Sequence, residues 1–453
     1  MLDTRVRVWP AWRQPFPVVE LSALRRMWIG AGSGNPVPCG ASFWGGAPFF
    51  LASTSAAVPL YVLNRFSERL AWSTPSNPYS LLLQEKRQAG ARLLDLTTAN
   101  PTEAFPGYPH QDIARAYGAL SDFRYEPAAL GIMAARQIIA AWYGAQGIPA
   151  EAHRIALTAS TSEAYAVLFK LLCDSGDEIL IPYPSYPLFD YLARAEAVKT
   201  TPYQLMYDGG WFMDFASVQK ALSARTKAIV VVNPNNPTGS FLKHHEARKL
   251  ALLAEQHELA LISDEVFMSY PAAISSGRQV RSLIGHNDVL SFSLNGLSKA
   301  AGMPQMKLGW IAVNGPQKDV DSALAKLELL LDSYLSVATP VQAALAELLQ
   351  IGAGIQLKID SRLRQNRAAL AILNNSAVEP LASEGGWSAI LQIPSIRTEE
   401  DWITKLLAEE GVVVQPGYFY DMAKEAFIVL SLIASPADFA EGLHKLIRLA
   451  GRC

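Results

Sequence analysis

The sequence predicts an α/β fold: a three-layer α/β/α large domain around a mostly parallel sheet, with a smaller α+β domain. Three observations carry this expectation. From about Leu93 onward, short apolar runs alternate with amphipathic segments of helical period, the pattern of strands joined by crossover helices. Several of those runs are almost continuously apolar, as strands covered on both faces are. After Val313 the alternation gives way to long helical patterns and then to short strands.

Taken in order, the expected large-sheet strands are "RIALTAS" (154–160), "EILIPYP" (178–184), "AIVVVNP" (228–234), "ALISDEV" (260–266), "VLSFSL" (289–294) and "KLGWIAV" (307–313). Between them, "SEAYAVLFKLLCD" and "HEARKLALLAEQHELA" repeat apolar residues at helical spacing. Downstream, "DVDSALAKLELLLDSYLSV" and the segment from Thr339 to Ser376 read as long helices. "WSAILQIP", "VVVQPG" and "FIVLSLIA" read as short strands before a last helix. The resulting division is an N-terminal extension over 1–62, the first part of the small domain with an arm over 63–115, the large domain over 116–335, and the rest of the small domain over 336–453.

The 453 residues are ample for a large buried core. Lysine and arginine (39) nearly balance aspartate and glutamate (41), for a net charge of −2, so no field singles out nucleic acid as a partner. Three widely spaced cysteines, Cys39, Cys173 and Cys453, form neither a disulfide framework nor a CxxC metal site. They fit a reducing, cytoplasmic compartment, and no metal is expected.

Before Leu93 the chain is unusual. Arginines 5, 7, 13, 25 and 26 precede a stretch, Met27 to Asn64, without a charged side chain. Its most apolar part, "FWGGAPFFLASTSAAVPLYVL", is interrupted by glycine, proline and Ser-Thr-Ser, whereas a spanning helix needs about 20 predominantly apolar residues. Residues 1–62 are expected to be a poorly ordered extension or to follow from a mis-assigned start. A targeting segment and a membrane anchor are the lesser alternatives.

Five clusters carry chemistry, each with a plain structural reading beside it. "VVVNPNNPTGS" is an Asn-Pro turn, yet it also presents the Asn235 amide at a strand end. In "LISDEVF", Asp264 follows a buried strand, where a carboxylate caps a helix or needs a cationic or donor partner. "LTASTSEAYAV" offers Ser160, Thr161 and Ser162 as helix caps or as donors to an anion at a helix N-terminus. "IPYPSYPLFDY" fixes Tyr186 between prolines, as core filling or as a flat face for a planar ligand. In "NGLSKAAGMPQMKLGW", Lys299 follows an apolar strand. Most lysines are solvated, but one held in a desolvated site loses basicity, which suits Schiff-base chemistry.

An amide, a carboxylate, an anion cradle, a flat aromatic and an amine are the groups needed to hold pyridoxal 5'-phosphate (PLP). From about Leu94 to the C-terminus the sequence resembles the fold-type I PLP enzymes, specifically the class I/II aminotransferases. The pattern SK-x-x-G-x-P-x-x-(R/K)-x-G-W, from Ser298 to Trp310, is its most specific part. The resemblance implies that Lys299 forms the Schiff base and then moves the substrate Cα proton. It implies that Asp264 pairs with the pyridine N–H, Asn235 donates to the phenolic oxygen and Tyr186 stacks on the ring. Ser160, Thr161, Ser162, Ser298 and Lys307 would hold the phosphate. "RYEPAALG" matches the family stretch whose tyrosine, here Tyr125, reaches the phosphate of a neighbouring subunit, which implies a homodimer with shared active sites. Asn100 falls where the family has a glycine near the substrate carboxylate. The expected reaction transfers an amino group from an amino acid to a 2-oxo acid.

Three positions depart from the family pattern. Lys307 replaces an arginine, leaving a point charge where a fork would be. Phe267 replaces a tyrosine that donates to the phenolic oxygen, so the cofactor band is expected to titrate at a higher pH than in tyrosine-bearing relatives. Val429, in "FIVLSL", replaces the arginine that grips the substrate carboxylate. That absence keeps a PLP decarboxylase or lyase as an alternative, and a non-catalytic PLP-binding module below it. No GxGxxG follows the first strand and no GxxxxGK[ST] is present, which weighs against a nucleotide enzyme. The uncharged, glycine- and proline-rich stretch before residue 65 is a poor DNA-binding segment.

Overall fold

The computed structural model describes residues 67–70, 77–122, 124–272, 277–424 and 426–452. The chain divides into two compact units, Met1–Ser76 and Asn77–Cys453. The expectation for residues 1–62 lies outside the described residues, and the sheets, α-helices and site residues all belong to the second unit.

Fourteen strands are described: β1 (Leu94–Asp95), β2 (Ile155–Thr158), β3 (Glu178–Tyr183), β4 (Lys199–Tyr207), β5 (Trp211–Met213), β6 (Thr226–Val232), β7 (Ala260–Asp264), β8 (Ser291–Gly296), β9 (Gly309–Asn314), β10 (Glu379–Pro380), β11 (Ser388–Gln392), β12 (Val412–Val413), β13 (Gln415–Pro416) and β14 (Phe427–Ser431). Eight of them form one sheet in the order β2-β9-β8-β7-β6-β3-β4-β5. The run β8-β7-β6-β3-β4 is parallel, and β9 is antiparallel to both β8 and β2. The C-terminal ends of β2, β3, β6, β7 and β8 therefore share one edge, the edge at which open α/β sheets bind ligands.

Both faces of this sheet are covered, as the near-continuous apolar strands predict. Ile179, Ile181, Val230 and Ile262 pack against the helices Thr161–Leu172 and Gln317–Asp332 through Leu168 and Leu327. Their alternating neighbours Leu180, Ile229, Val231 and Leu261 pack against the helix His244–Gln256 through Leu250 and Ala254. This is the three-layer arrangement expected.

A second sheet, β10-β11-β14-β13, is antiparallel and packs with the helices Leu345–Ala369 and Pro436–Ala450 in another core cluster. Two details differ from expectation. "VVVQPG" is two pairings rather than one strand: Val412–Val413 pairs with Leu94–Asp95, and Gln415–Pro416 joins β14. The helical run from Thr339 breaks at Ala344 into Thr339–Ala343 and Leu345–Ala369. The strands β4 and β5 were not legible in the sequence. They close the outer end of the sheet, and β4 carries Pro202 and only one fully buried residue, Tyr203. Such a strand lacks the apolar run that marks a central one. Among the described residues, no helix is long and apolar enough to cross a membrane.

Candidate active site

Nine of the expected residues sit at or just beyond the shared strand edge. β7 is buried through Ser263 and delivers Asp264 at its end. One carboxylate oxygen accepts from the Val266 N–H at 3.2 Å in a turn, where the structural expectation is a helix cap. The other accepts from the Tyr165 hydroxyl at 3.0 Å. Desolvation raises the Asp264 pKa to about 6; the hydrogen bonds and the Lys299 charge only partly offset it.

Lys299 lies in the four-residue helix Leu297–Ala300 that follows β8. Burial of its amine lowers the pKa to about 8, with the Asp264 charge acting in the opposite direction. The two groups thus stabilise each other's charge in a desolvated site. Aromatic rings surround the amine: Nζ is 4.5 Å from the Trp387 ring centroid and 5.5 Å from that of Phe267. The Tyr270 hydroxyl donates to the Lys299 carbonyl at 2.6 Å and fixes the backbone.

Asn235 is buried and its loop is over-determined. Its N–H donates to the Ser240 carbonyl, its carbonyl accepts from Gly239, and its Oδ1 accepts from the Thr238 hydroxyl at 2.9 Å. Only a long contact of 3.5 Å, to the Ser185 hydroxyl, engages Nδ2, so the amide keeps a donor. Gly239 has φ +68°, and a Cβ there would stand 2.3 Å from the Gly385 carbonyl oxygen. Only glycine lets this loop approach the segment leading to Trp387.

Ser160 caps the helix Thr161–Leu172, its hydroxyl accepting from the Glu163 N–H at 3.1 Å. Thr161 and Ser162 are half-buried in the first turn. Gly309 packs against this terminus, where an added Cβ would lie 3.1 Å from the Ser160 carbonyl carbon and 3.2 Å from Thr161 N. Lys307, two residues earlier, is exposed, in left-handed backbone with φ +51°. Ser298 is half-buried beside Lys299. Tyr186 is 39% exposed, open enough to face a ligand, and its hydroxyl pKa is raised by burial and then by the Asp264 charge.

Three further expected positions have surroundings of their own. Tyr125 is 74% exposed. Asn100 caps the helix Pro101–Ala104, its Oδ1 accepting from Thr102 N and Oγ1, so that oxygen is engaged. Val429 is fully buried among Ile390, Leu381, Tyr420 and Trp211; this apolar packing leaves no charged group at the position.

Trp387, with Phe189, Tyr418 and Phe419, lies in stretches that the sequence suggests line the pocket, whereas Tyr165 and Tyr270 were not foreseen. Tyr165 reaches Asp264 across 99 residues and Tyr270 reaches Lys299 across 29, and an aromatic in an apolar run carries no signal of that contact.

A family model described as aminotransferase class I and II matches residues 114–444. The chain belongs to this family. Class I and II aminotransferases depend on PLP, and the residues present fit it: a desolvated amine, a buried carboxylate, a held amide donor, an accessible ring and a hydroxyl-rich helix N-terminus. The chain is 28% identical over 377 residues to an alanine aminotransferase of Mycobacterium tuberculosis, covering 79% of this chain and 85% of that one. It is 28% identical over 274 residues to the glutamate-pyruvate aminotransferase AlaA of Haemophilus influenzae, covering 60% of this chain and 66% of the relative, so it spans about two thirds of that protein's length. In fold it is similar to an alanine aminotransferase from Pyrococcus furiosus, with TM-score 0.76 at 22% identity over 86% of this chain and 100% of that one. These comparisons do not favour the decarboxylase, lyase or non-catalytic readings.

Proposed function

We propose that this class I and II aminotransferase moves an amino group from an amino acid to a 2-oxo acid, with Lys299 as the amine that binds PLP. The observation that carries the reading is the desolvated Lys299 amine set against the desolvated Asp264 carboxylate at one sheet edge. When bound, PLP supplies a carbonyl for Schiff-base formation and a ring that accepts the electron pair left when the substrate Cα proton departs.

The chain's own residues do the rest. Lys299, with its lowered pKa, takes and returns a proton near neutral pH. Asp264 holds a proton at the pyridine nitrogen, and the Tyr165 hydroxyl orients that carboxylate. Asn235 Nδ2 donates to the phenolic oxygen, and Tyr186 covers one ring face. Ser160, Thr161, Ser162 and Ser298 present hydroxyls and backbone N–H groups to the phosphate, with Lys307 as its counter-charge. The exposed Tyr125 reaches the phosphate of a second copy, so that the working unit is a homodimer. The substrate carboxylate is held without an arginine at position 429, by the Asn100 amide nitrogen and backbone N–H groups. The three widely spaced cysteines support a reducing, cytoplasmic compartment for the enzyme.

Alanine, glutamate and their oxo acids are the first substrates to test, because relatives bear those names. Purified protein loaded with PLP is titrated with a panel of amino acids while its visible spectrum is followed. Conversion of the band to that of the pyridoxamine form supports transamination. Release of carbon dioxide or ammonia without that conversion refutes it. Borohydride reduction followed by peptide mass mapping locates the cofactor adduct, expected on Lys299. Sedimentation of the loaded protein tests the dimer.

A further inference from the structure

Trp387 immediately precedes β11, and its ring is buried, 4% exposed. Its indole Nε1 has no hydrogen-bond partner among the described residues. A buried indole N–H ordinarily finds an acceptor, so this one points to a group that arrives with a ligand. The place of the ring says which ligand. Its centroid is 4.5 Å from Lys299 Nζ, and it meets Phe267 edge-on at 5.4 Å and Tyr270 at 5.1 Å. Of these three rings, Phe267 offers no polar atom and the Tyr270 hydroxyl is committed to the Lys299 carbonyl. Of the three, only Trp387 has an unspent donor; the amine lies over its ring face, and the N–H leaves the ring edge in its plane.

We propose that Trp387 Nε1–H donates a hydrogen bond to the phenolic oxygen of PLP, supplying at this site the second donor that Phe267 lacks. The inference rests on the reading of Lys299 as the PLP-binding amine. In PLP the phenolic oxygen is on the ring carbon next to the one bearing the carbonyl that a lysine attacks. Once joined to Lys299, that oxygen therefore lies beside Nζ, where the Trp387 ring is. The substrate carboxylate is a poorer match. Trp387, Ala389 and Leu391 share one core cluster, whereas Val429 packs with its cross-strand partner Ile390 and with Leu381 and Tyr420 in another. Trp387 is thus turned away from the position where the family's carboxylate grip is missing. The segment carrying it is held firmly. The Lys243 ammonium meets Glu384 at 2.7 Å, Arg367 donates to the Gly386 carbonyl at 2.7 Å, and Gly386 N–H donates to the Tyr270 carbonyl at 2.9 Å.

A donor to the phenolic oxygen favours negative charge there most strongly when the neighbouring nitrogen has lost its proton. It therefore lowers the pH at which the visible band changes form. The titratable groups around the amine, Asp264 with Tyr165, Tyr186 and Tyr270, are untouched by replacing Trp387. Trp387→Phe keeps the ring and removes the N–H. In PLP-loaded protein it is expected to raise the midpoint of the visible band by about one pH unit, equivalent to about 1.4 kcal/mol, and to weaken PLP binding several-fold. Phe267→Tyr supplies a competing donor and is read in both backgrounds. It is expected to lower the midpoint by less than about half a unit when Trp387 is present and by about one unit when it is absent. Should Trp387→Phe fail to fold, Phe267→Tyr alone decides: a small shift supports the proposal and a shift of about a full unit or more overturns it. A Trp387→Phe midpoint equal to the original, with reducible cofactor still on Lys299, overturns the Trp387 role and leaves the PLP reading standing. Absence of any band or Lys299 adduct in the unmutated protein overturns both.

Discussion

The pKa of the Lys299 amine is the property most directly set by the packing. Burial lowers it from 10.5 to about 8, while the Asp264 charge acts to raise it. At pH 7.5 an amine of pKa about 8 is roughly one quarter neutral, against about 0.1% for one at 10.5, so the nucleophilic form is enriched roughly 200-fold. The perturbation is Asp264→Asn in the apoprotein. It keeps the shape, removes the charge that supports the ammonium, and moves the Lys299 midpoint below 8. Trace labelling with acetic anhydride across pH 6–11, followed by mass analysis of the peptide bearing Lys299, measures the midpoint without cofactor. A midpoint near 8 in the unmutated protein, and a lower one in Asp264→Asn, is expected. A midpoint near 10, or an upward move on losing the carboxylate, would refute the burial argument. Stability obeys the same linkage. Between pH 8 and 10.5 the native state gives up this proton while the unfolded chain keeps it, so apoprotein stability rises with pH across that window, by about 3 kcal/mol.

The same geometry sets other outcomes. Glu265 is fully buried, hydrogen-bonded to Ser282, Ser293 and the Leu283 N–H, and pushed up to about 7 by desolvation. The native state therefore holds a proton that the unfolded chain has already lost, and stability falls as pH rises from about 4.5 to 7. Glu265→Gln should flatten that fall, seen as a smaller drop in apoprotein Tm between pH 5 and 7.5; an unchanged slope would exclude Glu265 as its source. Tyr165→Phe removes a hydrogen bond that lowers the Asp264 pKa, so it should raise that pKa by up to about one unit and weaken PLP binding, measured by equilibrium dialysis. Equal affinity would show that the hydroxyl does not support the carboxylate. Gly239→Ala forces a side chain into left-handed backbone against the Gly385 carbonyl and should cost about 2 kcal/mol or more in denaturant unfolding; a loss below about 0.5 kcal/mol would mean that the loop yields freely.

The α/β class and six of the eight large-sheet strands could be read from the chain alone, because strands covered on both faces must be apolar along their whole length. Asp264, Asn235, Lys299 and the Ser160 cap could be placed at strand ends in the same way, since each follows its strand within a few residues and local chain geometry carries it to the edge. How their surroundings close on them could not. Tyr165 meets Asp264, and Trp387 and Phe267 flank the Lys299 amine, only because separate strands and helices close over one another. The burial that moves the Lys299 and Asp264 pKa values arises from that closure, because desolvation belongs to the packed assembly of side chains and to no single residue type. The outer strands β4 and β5 likewise depend on tertiary pairing: half-exposed positions impose no apolar pattern, and only pairing of β4 with β3 and of β5 with β4 fixes where they run.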